Sequence, residues 1–335
     1  AMSVSYRGAV SNTTTVSDAN GITITSAAST LAVPSLVSSS PVAQYVVGGQ
    51  TFGIATFKLA TVDPGTVANV RELRFITTGQ DAIKSITVGG VTAPVIGNGA
   101  AATTTVAGLN IAISSNGTSV PVTVQFAGFQ GDASGGTINS GSGISTSITL
   151  GYIEATSGVT GGAAITQITG ASSNTMTLYA SKPTITVAGG NVDTLILGAE
   201  NKVGEFTVAA DANGKIAVAS TSVTLSTIGV DSPEFTLTRV TIGGVNVTGA
   251  TVTGSSTAVI TFATPYEIPA GTSQTFTLYS TVGGTNTASV TQHYVASRLT
   301  SAATFKWIDS VGASSVITGG SSLINYPTNS YTTLR

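Results

Sequence analysis

The sequence predicts an all-β chain: two β-sandwich domains in tandem behind an N-terminal strand segment. Three observations carry this expectation. Val, Ile and Thr alternate with small polar residues at period two. Gly, Asn, Asp and Pro interrupt these runs at short intervals. The same order of motifs occurs twice within 335 residues.

The strands are read from period-two patterns, which place alternate side chains on a buried and a solvated face. They include Ile22 to Thr25 (ITIT), Ser85 to Val88 (SITV), Val122 to Phe126 (VTVQF), Ser147 to Leu150 (SITL), Thr184 to Val187 (TITV) and Gln274 to Tyr279 (QTFTLY). Strong helix formers seldom recur at helical spacing, and many short strands without intervening helices indicate a sandwich or barrel.

Residues 1–33 come first and hold a hairpin signal, Asp18-Ala19-Asn20-Gly21, between TTTVS and ITIT. They are too few for a domain, and an isolated hairpin is marginal in water. This segment therefore pairs either with its own first domain or with a neighbouring subunit by strand addition. Residues 34–182 form the expected first domain. Asp63-Pro64-Gly65 is read as a hairpin turn, and Gly89-Gly90 as a turn or bulge. Residues 183–335 repeat that domain, with Asp211-Ala212-Asn213-Gly214 read as a second Asn-Gly hairpin.

The repeat rests on ordered matches. Pro34 aligns with Pro183 and Phe57 with Phe206, both at an offset of 149 residues. Ile86–Val91 aligns with Val240–Val245 at 154, Val122–Phe126 with Thr275–Tyr279 at 153, and Asn174 with Asn329 at 155. Matches that keep one order with a slowly drifting offset indicate duplication. Each copy has the size of an immunoglobulin-like sandwich. In the second copy the expected core is Val208, Val223, Leu225, Phe235, Leu237, Val240, Ile242, Val259, Phe262, Phe276, Leu278 and Trp307.

Composition narrows function. With no cysteine, there is no disulfide framework, thiolate nucleophile or Cys-based metal site. Charged residues are 8% of the chain, net charge is −2 and the pI is about 5.3. So weakly charged a surface favours association. It also argues against nucleic acid, which needs clustered Lys and Arg. Mean hydropathy is +0.37, yet no apolar run approaches the roughly 20 residues of a spanning helix. An aromatic content of 6% also argues against a membrane barrel, which carries aromatic girdles at both interfaces.

Candidate chemistry is sparse. The single histidine, His293, lies in a strand pattern and reads as structural. Asp231 with Glu234, and Glu200 with Glu205, are the nearest carboxylate groupings; they read as turn and strand-end residues. The Asp-Ala-Asn-Gly turns resemble half a calcium loop but lack the full acidic ligand set. Gly89-Gly90 and Gly243-Gly244 open no helix, so they read as turns and not phosphate cradles. Asn12, Asn116 and Asn246 sit in sequons that permit glycosylation. No catalytic residue, cofactor or metal site is expected, and the chain is read as a non-enzyme.

The second copy carries VGEFTVAADANGKIAVASTSVTLS, then PEFTLTRVTIGGVNVTGATV, then ITFATPYEIPAGTSQTFTLYSTVGG. This phrase resembles the β-sandwich repeats of large secreted surface proteins from small-genome candidate-phylum bacteria. The resemblance implies a location outside the cell envelope and a structural or adhesive role.

The expectation is thus a secreted or cell-surface subunit that assembles with copies of itself into a filament or surface layer. Val4, Tyr6, Val10 and Val16 would be the apolar anchors of the N-terminal segment. The alternatives are an adhesin or carbohydrate-binding module, using Tyr45, Tyr152, Tyr266, Tyr294, Tyr326 or Tyr331, and a viral tail or fibre subunit.

Overall fold

A computed structural model describes residues 16–17, 23–24, 30–79, 81–96, 101–129, 138, 143–157, 164–188, 192–228, 235–253, 256–282, 294–309 and 316–334. The chain is all-β, and the one helical element among the described residues is a 3-10 turn at Ala302–Thr304. The strands of the first half are β1 (Val16–Ser17), β2 (Thr23–Ile24), β3 (Ser35–Leu36), β4 (Gln44–Val47), β5 (Thr51–Leu59), β6 (Val67–Thr78), β7 (Ile83–Val88), β8 (Val91–Pro94), β9 (Ala101–Ser114), β10 (Thr118–Phe126), β11 (Ile144–Thr146), β12 (Ile148–Ser157), β13 (Ala164–Ser172) and β14 (Met176–Tyr179). Those of the second are β15 (Pro183–Val187), β16 (Val192–Thr194), β17 (Ala199–Ala210), β18 (Ile216–Ile228), β19 (Phe235–Ile242), β20 (Val245–Asn246), β21 (Ala250–Thr253), β22 (Thr257–Ile268), β23 (Ser273–Val282), β24 (Tyr294–Leu299), β25 (Lys306–Asp309), β26 (Ile317–Thr318) and β27 (Tyr331–Leu334).

The chain packs as two compact units. Unit 1 is residues 1–43, 49–127 and 144–176; unit 2 is residues 44–48, 128–143 and 177–335. Each is a sandwich. In unit 1 a five-stranded sheet, β3-β5-β10-β7-β8, faces a four-stranded sheet, β13-β12-β6-β9. Phe57 of β5 meets Phe75 of β6 across the gap, ring centroids 6.3 Å apart. In unit 2 a sheet ordered β15-β17-β23-β19-β20 faces one ordered β16-β27-β24-β18-β22-β21. There Phe276 of β23 stacks on Phe206 at 5.0 Å and meets Phe262 of the facing sheet at 5.9 Å. The two five-stranded sheets follow the same succession of strands. In the facing sheets, β12 pairs with β6 as one strand from Ala68 to Thr77, whereas β24 and β25 divide the equivalent edge of β18 between them.

The alternation read from the sequence fills the unit 2 core as expected at Val208, Val223, Leu225, Leu237, Val240, Phe262, Phe276, Leu278 and Trp307, while Ile242 is partly buried against it. The side chain of Phe235 lies outside the described residues. Val259 does not belong to the core; it is exposed, and Ala258 and Ile260 are buried in its place. The reason is parity. Positions 259 and 262 differ by three and cannot share a face of one strand.

Two turn expectations also change. Asp63-Pro64-Gly65 and Asp211–Gly214 do not close hairpins: each carries the chain from one sheet of its sandwich to the other, from β5 to β6 and from β17 to β18. Neither Asn213 nor Gly214 takes the positive φ that a tight Asn-Gly hairpin requires. Asp211 Oδ1 instead accepts from Asn213 N at 3.0 Å, which holds the corner by a side-chain turn. The strands separate because Phe206 and Val208 on one side, and Ile216 and Val218 on the other, fill the same core. The tight hairpins are at Gly89-Gly90, with φ of +55° and +82°, and Gly243-Gly244, with +57° and +81°. They close Val88↔Val91 and Ile242↔Val245.

Candidate functional site

The N-terminal segment is the candidate assembly element. β1 and β2 pair antiparallel, Val16 opposite Ile24 and Ser17 opposite Thr23. Among the described residues they form a two-stranded sheet of their own and pair with no other strand. Attachment to unit 1 begins further on, where Leu31 bridges Thr61 and Ala32 N donates to Ala60 O at 2.9 Å. Of the four expected anchors, Val16 lies in β1; Val4, Tyr6 and Val10 lie outside the described residues, as does the Asp18–Gly21 turn.

The carboxylates are engaged structurally. Arg239 clasps Glu200 through Nε and Nη2, at 2.9 and 2.8 Å, and stacks on the Tyr279 ring at 4.1 Å. That hydrogen bonding holds the Glu200 carboxyl below its usual range. Glu205 pairs separately with Lys202 at 2.9 Å. Unit 1 has a similar surface cluster: Arg74 bonds Glu72 at 2.6 Å and lies over Tyr152 at 4.3 Å, while the Tyr152 hydroxyl donates to Glu154 at 3.2 Å. The Glu72–Arg74 and Lys202–Glu205 pairs lie within one strand, Arg239 reaches Glu200 across β23, and Arg74 stacks on Tyr152 of the neighbouring β12; being solvated, these pairs add little stability. His293, Asp231 and Glu234 lie outside the described residues. Among the described residues no three His, Asp or Glu side chains group as metal ligands, and no helix is long and apolar enough to cross a membrane.

Sequence reading missed the aromatic cluster of unit 2. Trp307, fully buried, meets Tyr45 at 5.6 Å, Tyr179 at 6.1 Å and Phe305 at 6.2 Å. The Tyr45 hydroxyl donates to the carbonyls of Thr318 and Gly319, and its backbone carbonyl accepts from Lys182 Nζ at 2.9 Å. Burial lowers the Lys182 pKa, with Asp211 pulling it back up. Tyr45, Lys182, Ile185, Leu323 and Tyr326 border a pocket of about 100 Å³. Small-molecule sites run to roughly 300–1,000 Å³, so this one is a packing gap at the edge of the core. None of Tyr45, Tyr152, Tyr266, Tyr294, Tyr326 and Tyr331 is fully exposed, and Tyr331 is buried. They form no open stacking platform. Asn116 and Asn246 are exposed; Asn12 lies outside the described residues.

No protein-family model matches this chain, and no curated protein does. Among solved structures it is similar to the C-terminal domain of the antigen I/II polypeptide BspA of Streptococcus agalactiae (9% identity, 90% of this chain and 97% of that one, TM-score 0.22). It is similar to the C-terminal domain of the antigen I/II-family protein AspA of Streptococcus pyogenes (8% identity, 92% and 99%, TM-score 0.24). A third similarity is to the major pilin SpaD of Corynebacterium diphtheriae (11% identity, 79% and 59%, TM-score 0.24). At these TM-scores and identities the likenesses bring neither a family nor an activity to this chain.

Proposed function

We propose that this chain is an extracellular structural subunit that assembles with copies of itself into a filament or surface layer. Residues 1–33 contribute a strand across the contact between subunits. The carrying observation is the β1-β2 pair, which among the described residues joins neither sheet of unit 1. A two-stranded sheet is marginal alone and gains stability by adding to another sheet. The 8% charge content supports the same reading, because few like charges oppose close approach of copies. The proposal includes a duplicated domain, supported by the shared strand succession, and a secreted or cell-surface location, as the resemblance to secreted surface repeats implies. No catalytic step or cofactor is part of it. The sugar-binding alternative has no comparable support, since Tyr45, Tyr266, Tyr326 and Tyr331 pack into unit 2 and Tyr152 is engaged by Arg74 and Glu154.

Deletion of residues 1–33 tests the proposal. The truncated chain is expected to keep its β circular-dichroism spectrum, sediment as a monomer and form no polymer by negative-stain microscopy at concentrations where the full chain does. Normal assembly of the truncated chain would overturn the role given to this segment.

A further inference from the structure

Sheet edges are where one chain adds to another, and proteins usually shorten, charge or cover them. Most edges of the two sandwiches follow that rule. β3 and β20 have two residues and β16 has three; β8 has four and ends in Pro94; β21 has four; β15 begins with Pro183. β9 is long, but it is broken by a bulge at residues 108–110 and runs beside β7 and β8 of the facing sheet. β13 is different. It has nine residues, AITQITGAS, without a charge or a proline. Among the described residues it pairs only with β12, and the facing sheet offers it only the two-residue β3. Its outward positions 164, 166, 168, 170 and 172 are all exposed, and Ile168, at 82%, is the most exposed large apolar side chain among the described residues.

We propose that β13 is a second self-association surface, pairing antiparallel with β13 of another copy. The proposal rests on the self-assembly reading and names one of its contacts. The occupant follows from charge. At a two-fold contact the two strands are copies and carry the same net charge, so a charged strand would repel its own partner. β13 has none. The stretch Ala164–Ile168 pairs with β12 without interruption, which leaves its outer edge regular. A two-fold axis through Thr166 sets Thr166 against its own copy and Ile168 against Ala164, covering the exposed Ile168. The nearest carboxylate is Glu154, opposite Thr166 on β12. In the pair, the two Glu154 side chains lie three strand spacings apart, about 14 Å, beyond the Debye length of about 8 Å at physiological salt. The two four-stranded sheets would then continue as one.

The chain has no cysteine, so one engineered thiol reports this contact. Directly opposed residues of antiparallel strands have Cα atoms about 4.5–5.5 Å apart, within disulfide range. Full-length Thr166→Cys is expected to form a disulfide-linked dimer on mild oxidation. Val245→Cys, also exposed and on β20, is expected to form none. Adding Ile168→Lys to Thr166→Cys should abolish the dimer while leaving the circular-dichroism melt unchanged. No crosslink from Thr166→Cys, or equal crosslinking by both cysteine variants, overturns the proposal. Polymers of the unmodified chain without a Thr166→Cys crosslink overturn this contact and leave self-assembly standing. A Thr166→Cys crosslink in a chain that never polymerises upholds the contact and removes the filament reading.

Discussion

Asn201 is a buried side chain that closes the turn between β16 and β17. Its Oδ1 accepts from Ile196 N at 2.7 Å, and its Nδ2 donates to the carbonyls of Ile196 and Ala199. Asn201→Ala removes three part-buried hydrogen bonds from this turn, so a loss of about 2–3 kcal/mol is expected. Trp307, the one tryptophan, lies in unit 2 and reports its unfolding by fluorescence in urea. A loss below about 0.5 kcal/mol would mean that water replaces the side chain at no cost. The same probe reads the phenols. Burial pushes Tyr179 and Tyr326 up to about 12. The folded unit therefore keeps protons that the unfolded chain releases at the ordinary value of about 10. Their contribution to stability is whole below that value and is lost as the pH climbs to about 12. The urea midpoint should fall as the pH rises from about 10 to about 12; a flat midpoint across that interval would show that the two hydroxyls ionise freely.

The Gly243-Gly244 hairpin shows how a single element depends on backbone conformation. A Cβ built on either glycine meets nothing within 4 Å, so substitution there acts through φ alone. Gly243→Asn should be neutral, since Asn favours the first position of such turns. Gly244→Val should cost about 1–2 kcal/mol, because a side chain at positive φ crowds its own backbone. Equal urea midpoints for the two variants would refute this backbone account. Both Gly-Gly pairs were legible as turns because glycine is the residue that positive φ selects. Asp211–Gly214 was misread because its sequence is compatible with either a hairpin or a corner between sheets. What decides is the inward face of the flanking strands, Phe206 and Val208 against Ile216 and Val218, packed across the sandwich. Val259 departs from the expected core for a simpler reason: on β22 it has the opposite parity to the buried Phe262. β4 was not legible at all. It is four residues long, and its place in unit 2 rests on Trp307 and Ser322, more than 250 positions away in the chain.

At the scale of the whole molecule the scarcity of charge is the dominant physical fact. The ion pairs involving Glu72, Glu200, Glu205 and Glu267 are partly solvated, and pairs of that kind contribute about 0–1 kcal/mol each. Cohesion within each sandwich comes from buried Val, Ile, Leu and Phe and from the backbone ladders. Contacts between copies would draw on the same two sources, since the β13 edge offers no charged group. Sodium chloride screens charges but leaves backbone pairing and apolar burial nearly untouched. The concentration at which polymer first appears should therefore change by less than about twofold between about 50 and about 500 mM NaCl. Sulfate acts differently. It is excluded from protein surface and strengthens burial, so sodium sulfate should lower that threshold. Light scattering of a dilution series in the two salts separates these effects. A tenfold rise of the threshold in NaCl would mean that the few charged side chains, and not the strand edges, hold the copies together.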